Sequence, residues 1–106
     1  MAQRKFQLIF APETVAHMDA IDAKHHSLIE RTIDQQLAYT PEKPTRHRKP
    51  LVEPGPFGAT WELRLGPQNK FRVFYQVDSD AVEVHVLAIG VKEREKLFIG
   101  PKVYPS

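Results

Sequence analysis

Six residues in the second half of the chain could act together on a phosphodiester. Glu62 and Arg64 stand two apart in Trp61-Glu-Leu-Arg-Leu65, Arg72 follows in Phe71-Arg-Val-Phe-Tyr75, His85 lies between Val84 and Val86, and Lys92 and Arg94 come just after Gly90. Side chains two apart on a strand share a face, and paired strands set them side by side. Glu62, Arg64, Arg72 and His85 are therefore expected on one side of a sheet, with Phe74 among them and Lys92 and Arg94 just beyond. Cleavage of RNA by its own 2′-hydroxyl needs a group that takes a proton, one that gives a proton, and cations that hold the charge building on phosphorus. A guanidinium fork grips two phosphate oxygens. A histidine exchanges protons near neutral pH, and a carboxylate can accept one. The catalytic candidates are thus Arg72, Arg64 and Lys92 as phosphate clamps, with Glu62 and His85 for proton transfer. Arg46, Arg48 and Lys49, in Thr45-Arg-His-Arg-Lys-Pro50, and Arg94 are candidates for further RNA contacts, and Phe74 for stacking a base. The same residues are also what a solvated sheet face stitched by cross-strand ion pairs would contain, and that face would do no chemistry.

The flanking residues specify the elements that would hold this set. Lys5-Phe-Gln-Leu-Ile-Phe10 reads as a strand, and Pro12 with Glu13 opens a short helix bearing Val15, Met18 and Ile21. Leu28, Ile29, Ile33 and Leu37 make the apolar stripe of a second helix, capped by Asp22 or by Ser27 with Glu30. It must stop near Tyr39, because Thr40 precedes Pro41. Residues 41–57 lack periodicity, and six of the nine prolines fall between positions 41 and 67, so a long loop is expected. Three alternating runs follow: Ala59 to Leu65, Phe71 to Val77 and Val82 to Ile89, separated by Gly66-Pro-Gln-Asn69 and Asp78-Ser-Asp80. They predict an antiparallel meander whose apolar face, with Trp61, Tyr75 and Ala88, is covered by the two helices. Ile89 falls on the mixed face in this reading. Lys92 to Phe98 reads as a short helical segment, ended by Gly100-Pro101.

Composition bounds the remaining choices. A length of 106 residues suits one domain, and the absence of cysteine removes disulfides and every thiolate site. No apolar run approaches a membrane span, and Met1-Ala-Gln-Arg-Lys-Phe6 lacks the apolar stretch of a secretory signal, so a cytoplasmic protein is expected. His17, His25 and His26 match no metal-ligand spacing and read as surface histidines; neither metal nor other cofactor is expected. The net charge of +2 is unevenly spread. Residues 1–42 carry four Lys and Arg against six acids, residues 43–106 eleven against seven, an asymmetry suited to a polyanion on one face.

Trp61-Glu-Leu-Arg64, Phe71-Arg-Val-Phe-Tyr75 with Gln76-Val-Asp78, and Val86-Leu-Ala-Ile-Gly-Val-Lys-Glu-Arg94 resemble the RelE/ParE superfamily of bacterial toxins, over Phe6 to Phe98. The resemblance implies a RelE-like α+β fold: an N-terminal strand and αα-hairpin packed on a curved antiparallel sheet, here with the short C-terminal helical segment. It implies the toxin of a type II toxin–antitoxin module, with a cognate antitoxin protein as partner, in a homodimer or a toxin–antitoxin hetero-oligomer. RelE-like members cut mRNA on the ribosome without a metal. Carried over by position, Arg72 is the phosphate-contacting arginine, Lys92 stands where an arginine follows the glycine, and Arg64 matches one of two lysines. Glu62 replaces the other lysine, and Phe98 takes the place of a tyrosine. These departures leave three readings: cleavage redistributed over Glu62, His85 and Arg72; a ParE-like toxin acting on DNA gyrase; or a decayed module that only binds an antitoxin.

Overall fold

The computed structural model describes residues 4–104; residues 1–3, part of the opening read above for a missing leader, and residues 105–106 lie outside the described residues. The elements run β1 (Gln7–Phe10), α1 (Glu13–Asp19), α2 (His26–Leu37), β2 (Arg48–Pro50), β3 (Trp61–Leu65), β4 (Phe71–Asp78), β5 (Glu83–Glu93), β6 (Lys96–Ile99) and β7 (Lys102–Val103). The strands form one sheet in the order β2-β3-β4-β5-β6-β7, antiparallel throughout, with β1 added in parallel beside the first half of β5. This is the expected α+β arrangement of two helices on a curved antiparallel sheet. No helix among the described residues is long and apolar enough to cross a membrane.

The helical stripe packs as its spacing requires. Ile29, Ile33 and Leu37 are fully buried against Leu63, Phe71, Val73, Tyr75, Val84 and Val86, so the αα-hairpin covers one face of the sheet and leaves the other to the candidate site. Asp22 caps a 3₁₀ turn that joins the helices, its carboxylate accepting from the Lys24 amide at 3.1 Å. No side-chain bond caps α2 at its start, so neither cap expected for that helix forms there.

The simple alternation along β5 fails at one residue. Phe74 pairs with Ala88 but Tyr75 with Val86, so Leu87 is an extra residue, a β-bulge. The bulge exchanges the two faces beyond it. Ile89 therefore joins the core under the helices, and Ala88 turns to the opposite face, where it packs with Ala59, Phe74 and Ile99. Both placements reverse the reading from sequence, which carried the period of two straight through.

The helical segment expected over residues 92–98 is instead a hairpin. Glu93 pairs with Lys96, and Arg94 (φ 50°) and Glu95 (φ 69°) between them both adopt the left-handed conformation that two-residue hairpin turns use. Lys, Glu and Arg have good helix propensity, and the turn positions cost about 1–2 kcal/mol each for residues with a Cβ. Tertiary packing outweighs both. Leu97 and Ile99 are held over Gly90, where an added Cβ would lie 3.0 Å from Leu97 Cδ1 and 2.8 Å from the Phe98 carbonyl oxygen.

None of the three histidines is a free surface residue. The His25 ring lies 5.0 Å from that of Phe71, and His26 Nε2 is 2.8 Å from the Ile21 carbonyl oxygen. His17 fills a break in the sheet: pairing of β1 to β5 ends at Val86 and pairing of β6 begins at Gly90. In that gap the Ile89 amide donates to His17 Nδ1 at 3.3 Å. The imidazole must be neutral to accept this bond. Burial pulls its pKa below the ordinary value near 6.5, partly opposed by the Glu13 carboxylate. Below that value the unfolded chain binds a proton that the folded chain refuses, so stability is full above it and falls as pH drops. Urea titrations from pH 8 to pH 5 are expected to show this loss, and a His17→Gln protein to show a smaller one over the same range.

Candidate functional site

On the sheet face away from the helices, Arg64 of β3 stands directly opposite Arg72 of β4. Like charges so placed destabilise a sheet unless something lies between them. Glu62 provides it: its carboxylate accepts from Arg64 Nε at 3.1 Å and Arg72 Nη1 at 3.4 Å, and Lys49 Nζ is 3.8 Å away. Three cations around one carboxylate leave an excess of two positive charges. The Arg72 guanidinium is further held by donating from Nε to the Asn69 carbonyl oxygen at 2.9 Å. Asn69 and Gln68, both at positive φ, shape the β3–β4 turn that brings this carbonyl under the arginine. The result is a cation group fixed by packing and bonding, with the Arg64 side chain 36% exposed and Lys49 53%.

The remaining candidates divide. Lys92 lies on the same face and lines, with Glu62, Leu51, Phe74, Leu97 and Tyr104, a groove of about 490 Å³ beside the cluster. Phe74 is 3% exposed beneath Leu51 and the chain at Gly55, and is therefore a floor for the groove and not a stacking platform. Arg46 and Arg94 are exposed, on the loop before β2 and at the tip of the β5–β6 hairpin. His85 pairs with Gln76, four residues along β4 from Arg72, which is about 13 Å of strand. It shares the face but not the site, and its Nε2 is 3.1 Å from Glu83 Oε1.

Arg48 is not a surface RNA contact. It is 5% exposed, and its Nη1 donates to the carbonyl oxygens of Gln36 at 2.5 Å and Thr40 at 2.6 Å, closing the C-terminal end of α2. Helix ends leave carbonyls without partners and carry partial negative charge, which a buried guanidinium satisfies. Replacing Arg48 by methionine is expected to cost about 2–3 kcal/mol in chemical denaturation. The triplet Arg48–Pro50 is itself a strand, absent from the sequence reading because three residues holding two cations and a proline show no alternation.

Two residues near the cluster went unread. Lys96 and Tyr104 line the groove because β6 and β7 form a second hairpin, with the Tyr104 amide donating to the Leu97 carbonyl oxygen at 2.7 Å. The available signal was Gly100-Pro101 (Gly100 φ 62°) between two short apolar runs, a turn pattern that the expected helix had absorbed as its stop. Phe98, set in the tyrosine position by the resemblance, pairs with Val91 and lies on the opposite face, beside His17 and Ile21. It has no part in the cluster.

The fold is thus two helices on one face of a curved seven-stranded sheet, with the cation group on the other face. A chain of the crystal structure of the toxin–antitoxin complex RelBE2 from Mycobacterium tuberculosis superposes with a TM-score of 0.66 at 17% identity, covering 85% of this chain and 94% of that one. At that identity the likeness is one of fold. No family model and no curated protein sequence matches the chain.

Proposed function

We propose that this chain is the toxin of a type II toxin–antitoxin pair and cleaves translated mRNA on the ribosome without a metal ion. The reading is carried by one observation: Arg64 and Arg72 side by side, sharing Glu62 and leaving uncompensated positive charge on the sheet face away from the helices, where the Arg64 side chain is 36% exposed and that of Arg72 13%. The likeness to a toxin–antitoxin structure agrees with it and points to a separate antitoxin as the protein partner.

In this mechanism the two guanidinium groups bind the nonbridging oxygens of the scissile phosphate, and Lys92 adds charge from β5. The ribose 2′-oxygen attacks phosphorus as its proton passes to Glu62, which releases one of its two arginine partners to the phosphate. The P–O5′ bond breaks, and O5′ takes a proton to leave a 2′,3′-cyclic phosphate. Tyr104, whose side chain lines the same groove as Glu62, serves that last transfer in this reading. Stabilisation of the pentacoordinate phosphate by preorganised cations carries most of the rate. Arg46, Lys49 and Arg94 contact RNA on either side.

Primer extension on a translated message after induction of the protein tests this. New codon-positioned 5′ ends are expected. Growth arrest with intact messages and trapped cleaved DNA would instead assign the chain to gyrase inhibition, and harmless overexpression would leave only antitoxin binding.

A further inference from the structure

We propose that in the free chain the Glu62 carboxylate fills the seat that a phosphate group takes on binding, and that it must give way before Arg72 can hold that phosphate. Only the use of this seat on RNA rests on the proposed function; the exchange of one anion for another does not.

The cations around Glu62 are not equally open. The side chains of Lys49 and Arg64 are partly exposed, whereas that of Arg72 is 13% exposed and that of Glu62 itself 9%. Arg72 also commits its Nε to the Asn69 carbonyl oxygen and its Nη1 to Glu62 Oε2. An incoming anion therefore meets Lys49 and Arg64 first and finds Arg72 already engaged.

A carboxylate and a phosphodiester look alike to a guanidinium, since each offers two oxygens and one negative charge. The Glu62 oxygens are divided between the arginines, Oε1 toward Arg64 and Oε2 toward Arg72, as the nonbridging oxygens of a phosphate between them would be. Arg64 and Arg72 face each other directly across β3 and β4, so they need an anion between them. They do not need this one.

The carboxylate has room to leave. Glu62 lines the groove of about 490 Å³, where Lys92 and Lys96 are set against Glu53 and Glu95. Those charges balance without it, so the displaced carboxylate gains space there but no strong partner. The exchange therefore costs affinity, and an uncharged residue at position 62 would remove that cost. Phosphate binding begins the release of the arginines from Glu62, and proton transfer completes it.

The test compares the full chain with Glu62→Gln by NMR, titrating each with inorganic phosphate and with a 2′-O-methyl heptanucleotide, whose blocked 2′-oxygens prevent cleavage. Glutamine keeps the shape and gives up the charge. The Arg72 guanidinium signals are expected to respond at about five- to tenfold lower concentration of either ligand in Glu62→Gln, the gain from one cation freed for a phosphate. In the unaltered chain the Glu62 carboxylate carbon should shift together with Arg72 as phosphate saturates, a result that needs no variant. Shifts of Lys49 and Arg64 at saturation with Glu62 and Arg72 unmoved would place the phosphate beside the carboxylate and overturn the proposal. So would equal or weaker binding by a folded Glu62→Gln chain, the mark of a carboxylate that only holds the arginines in place. A gain for inorganic phosphate without one for the oligonucleotide would assign the seat to free phosphate and overturn its use on RNA. Primer extension is scored separately, so anion exchange in a chain that cuts no message would sink the cleavage mechanism and leave the seat standing.

Discussion

Arg72→Ala is expected to lower message cleavage about a hundredfold or more, the loss typical of removing one preorganised group that stabilises transition-state charge. The arginine has two tasks. Its Nη1 shares the Glu62 carboxylate with Arg64, and its Nε fixes it to the Asn69 carbonyl. Alanine frees both partners, so a stability loss of about 1.5–3 kcal/mol accompanies the loss of activity. The fold should survive, since the residue packs no side chain into the core beneath the helices. Arg72→Lys separates the two effects. It keeps the charge but loses the planar fork, so stability should recover more than cleavage does. Unchanged cleavage by a folded Arg72→Ala protein would remove the residue from the site, and with it the proposed mechanism.

Trp61→Ala is expected to behave in the opposite way, costing about 3–5 kcal/mol in urea or thermal unfolding. Trp61 is 9% exposed and stacks on Tyr75, ring centroids 6.0 Å apart and 18° from parallel. Tyr75 is fully buried, and its hydroxyl donates to the Pro41 carbonyl oxygen at 2.8 Å, so the pair ties the end of the helical layer to the start of the long loop. Removing the indole opens a cavity that Tyr75 can fill only by giving up that bond. That is a large share of the roughly 5–15 kcal/mol by which such domains are stable, so the variant should melt at a markedly lower temperature. Any fall in cleavage should track the unfolded fraction measured by circular dichroism.

The residues that were legible and those that were not differ in a physical way. Strand periodicity, the stripe of α2 and the placing of Trp61 and Tyr75 in the core depend on burial against a single layer, and burial leaves a mark at every second or fourth residue. Arg48 carried no such mark. A guanidinium that closes a helix twelve residues earlier in the chain looks the same in sequence as one free in solvent. His17 is similar, since the gap it fills exists only because β1 and β6 meet the same edge of β5 at different points.

The site shows the same division. That Glu62, Arg64 and Arg72 share one face followed from alternation alone, because strand residues two apart cannot do otherwise. Which of the other candidates join them was decided by the bend of the sheet. Register sets His85 four residues down β4 from Arg72, and the β5–β6 turn, formed against local helix propensity, brings Lys96 and Tyr104 to the groove instead. Local periodicity is written residue by residue, whereas bulges, registers and hairpin closures are settled by contacts between segments far apart in the chain.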